Sequence, residues 1–377
     1  MAGAVKTLLI ASLLLAPAPL TWSTVNSDST GDQDNASVSA TRNGYTAVVW
    51  EDDRDTTNPT DPIHSDVWIR LYKEGTSIYE KKLSAGGTGN WRHWQPDVSL
   101  HEDGSAVVVW SEDPDGNGFY NIAVRSVSAS GTVSGSGRAN ANADGQQYFP
   151  SVAADPDTGG FAVTWEDKQG TAAPTVRVSG FASISSKTYE APVNNAGGTH
   201  AKPQVAMGAA GNAIVVWEAD ANVARKTLTP SGGVKQAQTT TGQGKSPAVA
   251  ANFNGDFAVA WEQSGVRTQS FTAAGASRGA VAQTTGTDPQ VGIDDQLGVA
   301  VTTAEAQDVY THVYNPDGTT TGRPPRQLTV SNATGRQDEP AVGVDPWGRV
   351  TVVYTDDNDG NGYDQIYLGT GLTTQAW

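Results

Sequence analysis

One phrase recurs seven times along the chain, and it leaves little freedom in what the chain can fold into. It opens Pro-x-Val, passes through small residues to a Gly-bearing turn, and closes on a Val-rich run ending in Trp-Glu. QPDVSLHEDGSAVVVWSED from Gln95, KPQVAMGAAGNAIVVWEAD from Lys202, SPAVAANFNGDFAVAWEQ from Ser246 and EPAVGVDPWGRVTVVYTDD from Glu339 are clear copies. The copy from Asn35 has Ala36 for Pro, the copy from Phe149 carries one inserted residue, and the copy from Asp288 has a late Gly298 and no Trp. The separation from Pro (or Ala36) to Trp (or Thr303, Tyr354) is 14 residues in six copies and 15 from Pro150 to Trp165. Starts at 36, 96, 150, 203, 247, 289 and 340 set a period of 42 to 60 residues.

That period suits a radial sheet of four short strands repeated around an axis. Each copy divides the same way. Strand a is Pro-x-Val-x, where Pro is expected at the first strand residue because it cannot donate to a ladder. A Gly, Asp and Asn turn such as Asn252–Gly255 follows. Strand b is the apolar run ending in Trp, continuous because neighbouring sheets cover both faces. Strand c alternates, as in Asp66–Tyr72 and Asp308–Tyr314, and strand d is polar and rich in Thr and Ser. The expected fold is therefore all-β: a seven-bladed β-propeller of four-stranded antiparallel blades. The last copy runs out after strand c, near Tyr367, so the N-terminal strand Leu20–Val25 is expected to complete the last blade and close the ring. Trp50, Trp110, Trp165, Trp217 and Trp261 recur in register and are expected between blades.

Residues 1–18 read as an export signal: Lys6, then the apolar run Leu8–Leu15, then Ala16-Pro17-Ala18 as the cleavage site. Eight residues cannot span a bilayer core, which needs about 20, so no stable membrane insertion is expected. The remainder, 19–377, reads as one domain, secreted or periplasmic. The formal charge of −16, from 40 acidic and 24 basic residues, excludes a phosphate-binding surface and with it nucleic acid. The lack of cysteine removes disulfides and thiolate chemistry.

In this topology the b–c turns and the d–a connectors share one face. An acidic collar follows each Trp position: Glu51, Asp52 and Asp53; Glu112; Glu166 and Asp167; Glu218 and Asp220; Glu262; Glu305; Asp356. It reads either as a functional rim or as a solvated one whose Glu side chains pair with strand-c cations such as Arg70 and Arg125. Two b–c loops place oxygen ligands at spacings that suit Ca2+: Asp113, Asp115, Asn117 and Asn121, and Asp357, Asp359, Asn361 and Asp364. Both resemble the D-x-D-x-D-G loop of integrin-α (FG-GAP) propellers, which implies a structural calcium ion. The same residues also suit a plain hairpin turn.

The connectors entering strand a carry aromatics beside polar groups: Trp91, Arg92, His93, Trp94 and Gln95; Tyr148 and Phe149; His200 and Lys202; Lys245; Arg336, Asp338 and Glu339. A flat apolar face with a few directed hydrogen bonds is what a glycan or protein ligand uses. The candidate ligand-binding set is Trp91, Arg92, His93, Trp94, Tyr148, His200, Lys202, Glu51 and Glu166. No H-E-x-x-H, G-x-S-x-G, P-loop or dinucleotide pattern occurs. Val48–Arg54 followed by Asp66–Arg70 resembles the V-V-W-E-D-x-R…D-I-Y repeats of secreted bacterial propellers, which implies the architecture and assigns no catalytic residue. The expected function is a secreted, non-catalytic binding propeller, lectin-like or protein-binding, stabilised by Ca2+. The alternatives are a glycoside hydrolase or lyase with carboxylates at the channel mouth, and a structural component of a cell surface.

Overall fold

The computed structural model describes residues 21–54, 65–84, 92–113, 115–315, 317–319, 326–327, 337–358 and 360–374. These residues form seven four-stranded antiparallel sheets and no helix. Blade 1 comprises strands a Gln33–Ala40, b Tyr45–Asp52, c Asp66–Lys73 and d Thr76–Lys82, and each later blade repeats that order. Blade 7 is completed differently. Its strands Gln337–Val344, Arg349–Asp356 and Gln365–Thr373 take Thr21–Thr24 as the fourth, with Trp22 opposite Gly369 and Thr24 opposite Tyr367. The ring is thus closed by the N-terminal strand. Gly369 is needed there, because a Cβ would sit 2.0 Å from the Trp22 ring. That ring meets Tyr354 edge-on at 5.6 Å.

The apolar b strands make sense as two-sided walls. Val48 and Trp50 pack toward blade 7 with Val353 and Ile366, while Ala47 and Val49 pack toward blade 2 with Val98 and Trp110. Alternation in a strand sends successive side chains to opposite faces, so a blade between two others needs apolar residues at every position. Each seam has its own cluster. Trp50, Trp110, Trp165 and Trp217 are fully buried and Trp261 nearly so. Tyr354 takes the tryptophan position in blade 7, and blade 6 offers only Thr303. There His312 lies 3.3 Å from the Thr303 hydroxyl and 3.1 Å from Thr284 of blade 5, so a polar contact stands where the other seams hold an indole or, in blade 7, a phenol ring.

The inner strands depart from expectation in one respect. Proline is not the first residue of strand a. The strands begin two to four residues earlier, at Gln33, His93, Gln146, His200, Lys245, Thr287 and Gln337. Proline is tolerated because it lies in a β-bulge. In blade 1, Asp34 pairs with Glu51 and Ser37 with Val49, so Asn35 and Ala36 together oppose Trp50. The same two-against-one register recurs in all seven blades. A bulged residue owes the ladder no hydrogen bond, so the missing proline N–H costs nothing there. The constant 14-residue spacing is the length of the hairpin that joins a bulge to the residue opposite it.

Candidate functional site: the channel mouth

The residue preceding the proline position has positive φ in every blade: Asn35 51°, Gln95 57°, Phe149 50°, Lys202 46°, Ser246 48°, Asp288 52° and Glu339 50°. None is glycine. The left-handed conformation costs a non-glycine residue about 1–3 kcal/mol unless its surroundings fix it. In six of the seven blades the cause is visible, because the bulged amide finds a carboxylate or amide oxygen of the neighbouring blade. Gln95 N donates to Glu51 at 2.8 Å, Ser246 N to Glu218 at 2.8 Å, Asp288 N to Glu262 at 2.8 Å and Lys202 N to Glu166 at 3.4 Å. Where the Glu after Trp is absent, a ring residue substitutes: Gln95 Oε1 accepts Phe149 N at 2.9 Å and Glu339 accepts Asn35 N at 2.6 Å.

Much of the acidic collar is therefore a set of inter-blade braces. Arg70 instead pairs with Glu80, and Arg125 stacks on Trp110, although Arg177 does approach Asp167 at 3.8 Å. Asp52 is buried deeper, accepting the Trp50 indole N–H at 2.8 Å and binding the Arg54 guanidinium at 2.6 Å.

The seven bulged residues line one cavity of about 340 Å3 at the mouth of the central channel. Asp97, also in its lining, ties three blades together, accepting from Ser37 Oγ at 2.6 Å and Val152 N at 2.8 Å, and burial lifts its pKa above the ordinary range. At the far end of the channel Arg42 binds Asp295 at 2.6 Å and lies 5.5 Å and 5.7 Å from the rings of Phe253 and Trp347.

An aromatic cluster stands next to the lining residues Gln95 and Phe149, outside the cavity itself. Trp94, Tyr120 and Tyr148 contact one another with centroids 5.6–6.4 Å apart. The Arg92 guanidinium lies 4.4 Å over Trp94 and 3.7 Å from Glu51. Across the mouth, burial and the neighbouring Asp34 push Glu339 up to about 8. Asp34 and Glu51 are raised as well, each first by burial; Asp34 is raised further by Glu51, and Glu51 by Glu339.

The residues singled out in the sequence divide three ways. Lys202 lines the cavity, Arg92, Trp94 and Tyr148 belong to the aromatic cluster next to it, and Glu51 and Glu166 are buried braces of the bulged amides. His93 and His200 lie buried beneath the face. His93 meets the edge of Trp110, and His200 Nδ1 accepts the Trp217 indole N–H at 3.1 Å while Nε2 donates to Gly197 O. Trp91 falls outside the described residues, as does Asp359. Tyr120, Asp34 and Asp288 were not singled out; the last could have been found as the residue before a repeat proline.

The two candidate calcium loops close on themselves. Asp113 accepts the amides of Asn117 at 3.2 Å and Gly118 at 2.8 Å, and Asp115 accepts the Asn117 side chain at 3.0 Å. Asn121 is buried and bonded to Asn140. Asp357 likewise accepts Asn361 N and Gly362 N, each at 3.0 Å. The loops differ in surroundings. Asp364 is pushed up to about 6 by burial and by Asp32, Asp338, Asp357 and Asp356, which stand around the blade 7 loop. Among the described residues no group of three acidic or imidazole side chains converges closely enough to hold a metal ion.

No protein family matches the sequence, and no curated protein does. Solved structures do resemble the fold. A protein of unknown function from Dyadobacter fermentans has a TM-score of 0.54 at 12% identity, covering 93% of this chain and 98% of its own. A catalytically inactive virginiamycin B lyase from Staphylococcus aureus, with quinupristin, has 0.55 at 11%, covering 93% and 99%. An α-L-arabinofuranosidase of Fusarium graminearum, with arabinobiose, has 0.50 at 12%, covering 89% and 92%. At these identities the likeness is one of fold alone.

Proposed function

We propose that this is an exported, non-catalytic binding propeller that takes an oligosaccharide at the channel mouth. One observation carries the reading: seven chemically different side chains project from seven equivalent bulges into one cavity beside the Trp94–Tyr120–Tyr148 wall. A fixed backbone with variable side chains is how a repeat scaffold writes specificity, and aromatic faces suit the apolar faces of sugar rings. Binding is favoured over hydrolysis because Glu51, Glu166, Glu218, Glu262 and Glu339 are each held by a backbone amide of the ring. A carboxylate fixed in that way braces the scaffold and is poorly placed to exchange protons with a substrate. The glycan-cleaving alternative draws on the raised carboxyls near the mouth, among them Asp34, Glu51 and Glu339.

The lengths of the loops suggest how a chain would lie. The b–c and d–a segments of blades 1 to 3 and 7 are long, while Gly244 alone joins blade 4 to blade 5. A bound chain would rise against the first group and leave across blades 4 to 6. A glycan array followed by calorimetry tests the proposal. Trp94→Ala and Tyr148→Ala are expected to weaken the ligand found at least tenfold with the fold intact. An array without ligands, or shortened products in the mixture, sinks it.

A further inference from the structure

In blades 1, 2, 3 and 7 strand b ends on an acid that stands opposite the start of strand a, and the blades differ in what satisfies it. In blade 1 Asp52, opposite Gln33, accepts the Trp50 indole N–H and binds Arg54, two residues further on. In blade 2 Glu112, opposite His93, accepts the Trp110 indole N–H at 2.8 Å. In blade 3 Asp167 accepts from Gln147 opposite it at 3.2 Å and from Gln169, again two residues on, at 2.5 Å. Blade 7 keeps the acid, Asp356, opposite Gln337, and lacks both kinds of donor. Tyr354 takes the place of the indole, and Asn358 the place of Arg54.

The consequence is visible at the atoms. Asp356 is 0% exposed, and neither of its carboxylate oxygens accepts a hydrogen bond. Gln337 is 1% exposed and leaves both amide atoms unused, and the buried Oδ1 of Asn358 is unused as well. The charged groups acting on Asp356 and on Asp364 beside it are Asp357, Asp32 and Asp338, all of the same sign. Arg54 is held in blade 1 by Asp52 and Glu80. A carboxylate withdrawn from water needs a partner or a proton. Water would supply hydrogen bonds and leave the charge; a hard cation neutralises the charge and also engages the amide oxygens.

We propose that blade 7 holds a calcium ion at Asp356, with the side-chain oxygens of Gln337 and Asn358 as further ligands, and that the ion takes the part Arg54 plays in blade 1. Among the described residues no three acids converge, and this set does not need them. Ca2+ accepts amide and backbone carbonyls and water beside a carboxylate, whereas Mg2+ demands a near-ideal octahedron and gives up its water reluctantly. The set is distinct from the loop pattern Asp357, Asp359, Asn361 and Asp364, and it stands apart from the sugar-binding reading. The ion sits where the ring closes. Gln365, next to Asp356 across the sheet, accepts from Asn26 at 2.6 Å, and Asn26 follows the closing strand by two residues.

Calorimetry on the full chain, freed of metal and held at pH 7.5, is expected to count one Ca2+ site that Mg2+ does not fill. Saturating Ca2+ should raise the melting temperature by several degrees. Asp356→Asn keeps the shape, removes the charge and should weaken Ca2+ binding at least tenfold. Asn358→Arg restores the donor of blade 1. It should abolish Ca2+ binding, while the metal-free variant melts as high as the Ca2+-loaded parent. That second variant decides the matter even where Asp356→Asn fails to fold. Ca2+ that binds Asn358→Arg as it binds the parent sits elsewhere, and the site falls. Neither heat nor a melting shift with Ca2+ overturns it as well, leaving Asp356 with a proton or a water molecule.

Discussion

Glu339→Gln is the substitution that most directly tests the electrostatics of the mouth. Burial, reinforced by Asp34, raises the Glu339 carboxyl from an ordinary 4.5 to about 8. Between those values the folded state holds a proton that the unfolded chain has released, so stability falls as pH rises through the window. Below 4.5 both states are protonated and nothing is lost; above 8 the whole cost is present. At ~1.4 kcal/mol per unit the interval corresponds to about 5 kcal/mol, and sharing of the repulsion with Asp34 reduces this to ~2–4 kcal/mol. Gln does not titrate, and its carbonyl can still accept Asn35 N–H. The variant is therefore expected to match the parent within ~0.5 kcal/mol at pH 4 and to exceed it by ~2–4 kcal/mol at pH 9. Urea denaturation followed by tryptophan fluorescence at pH 4, 6, 7.5 and 9 measures the difference. An offset independent of pH, or a variant weaker than the parent at pH 9, would refute the reasoning.

Three further outcomes are expected. Gly369→Ala puts a methyl group into the Trp22 ring and should destabilise the closing strand by ~1–3 kcal/mol, measured by denaturation and by earlier cleavage near residue 25 in limited proteolysis. Trp165→Ala empties the seam between blades 2 and 3 and should cost ~3–5 kcal/mol; a loss below 1 kcal/mol would mean the seam closes around the gap. For calcium, the excess of acids around Asp364 singles out the loop of blade 7. Millimolar Ca2+ is proposed to raise the melting temperature by several degrees, with Asp364→Asn removing the effect and Asp115→Asn leaving it. A melting temperature indifferent to both Ca2+ and EDTA makes both loops plain turns.

The sequence by itself determined the ring. A 14-residue spacing and an apolar run with no polar face can be satisfied only by a hairpin packed on both sides, and seven such hairpins must close on one another. The short last copy and the spare strand at Thr21–Thr24 determined how they close. Tertiary structure alone decided the site. The residue before each proline looks like loop filler in the sequence, yet the bulge opposite Trp turns its backbone left-handed and sends its side chain into the mouth. His93 and His200 have the composition of ligand-binding residues, but they sit two residues before a bulge, where the strand faces inward onto Trp110 and Trp217. Asp34, Asp288 and Glu339 are far apart along the chain. Glu339 reaches Asn35, beside Asp34, because blade 1 is the neighbour of blade 7, and no local pattern records that adjacency.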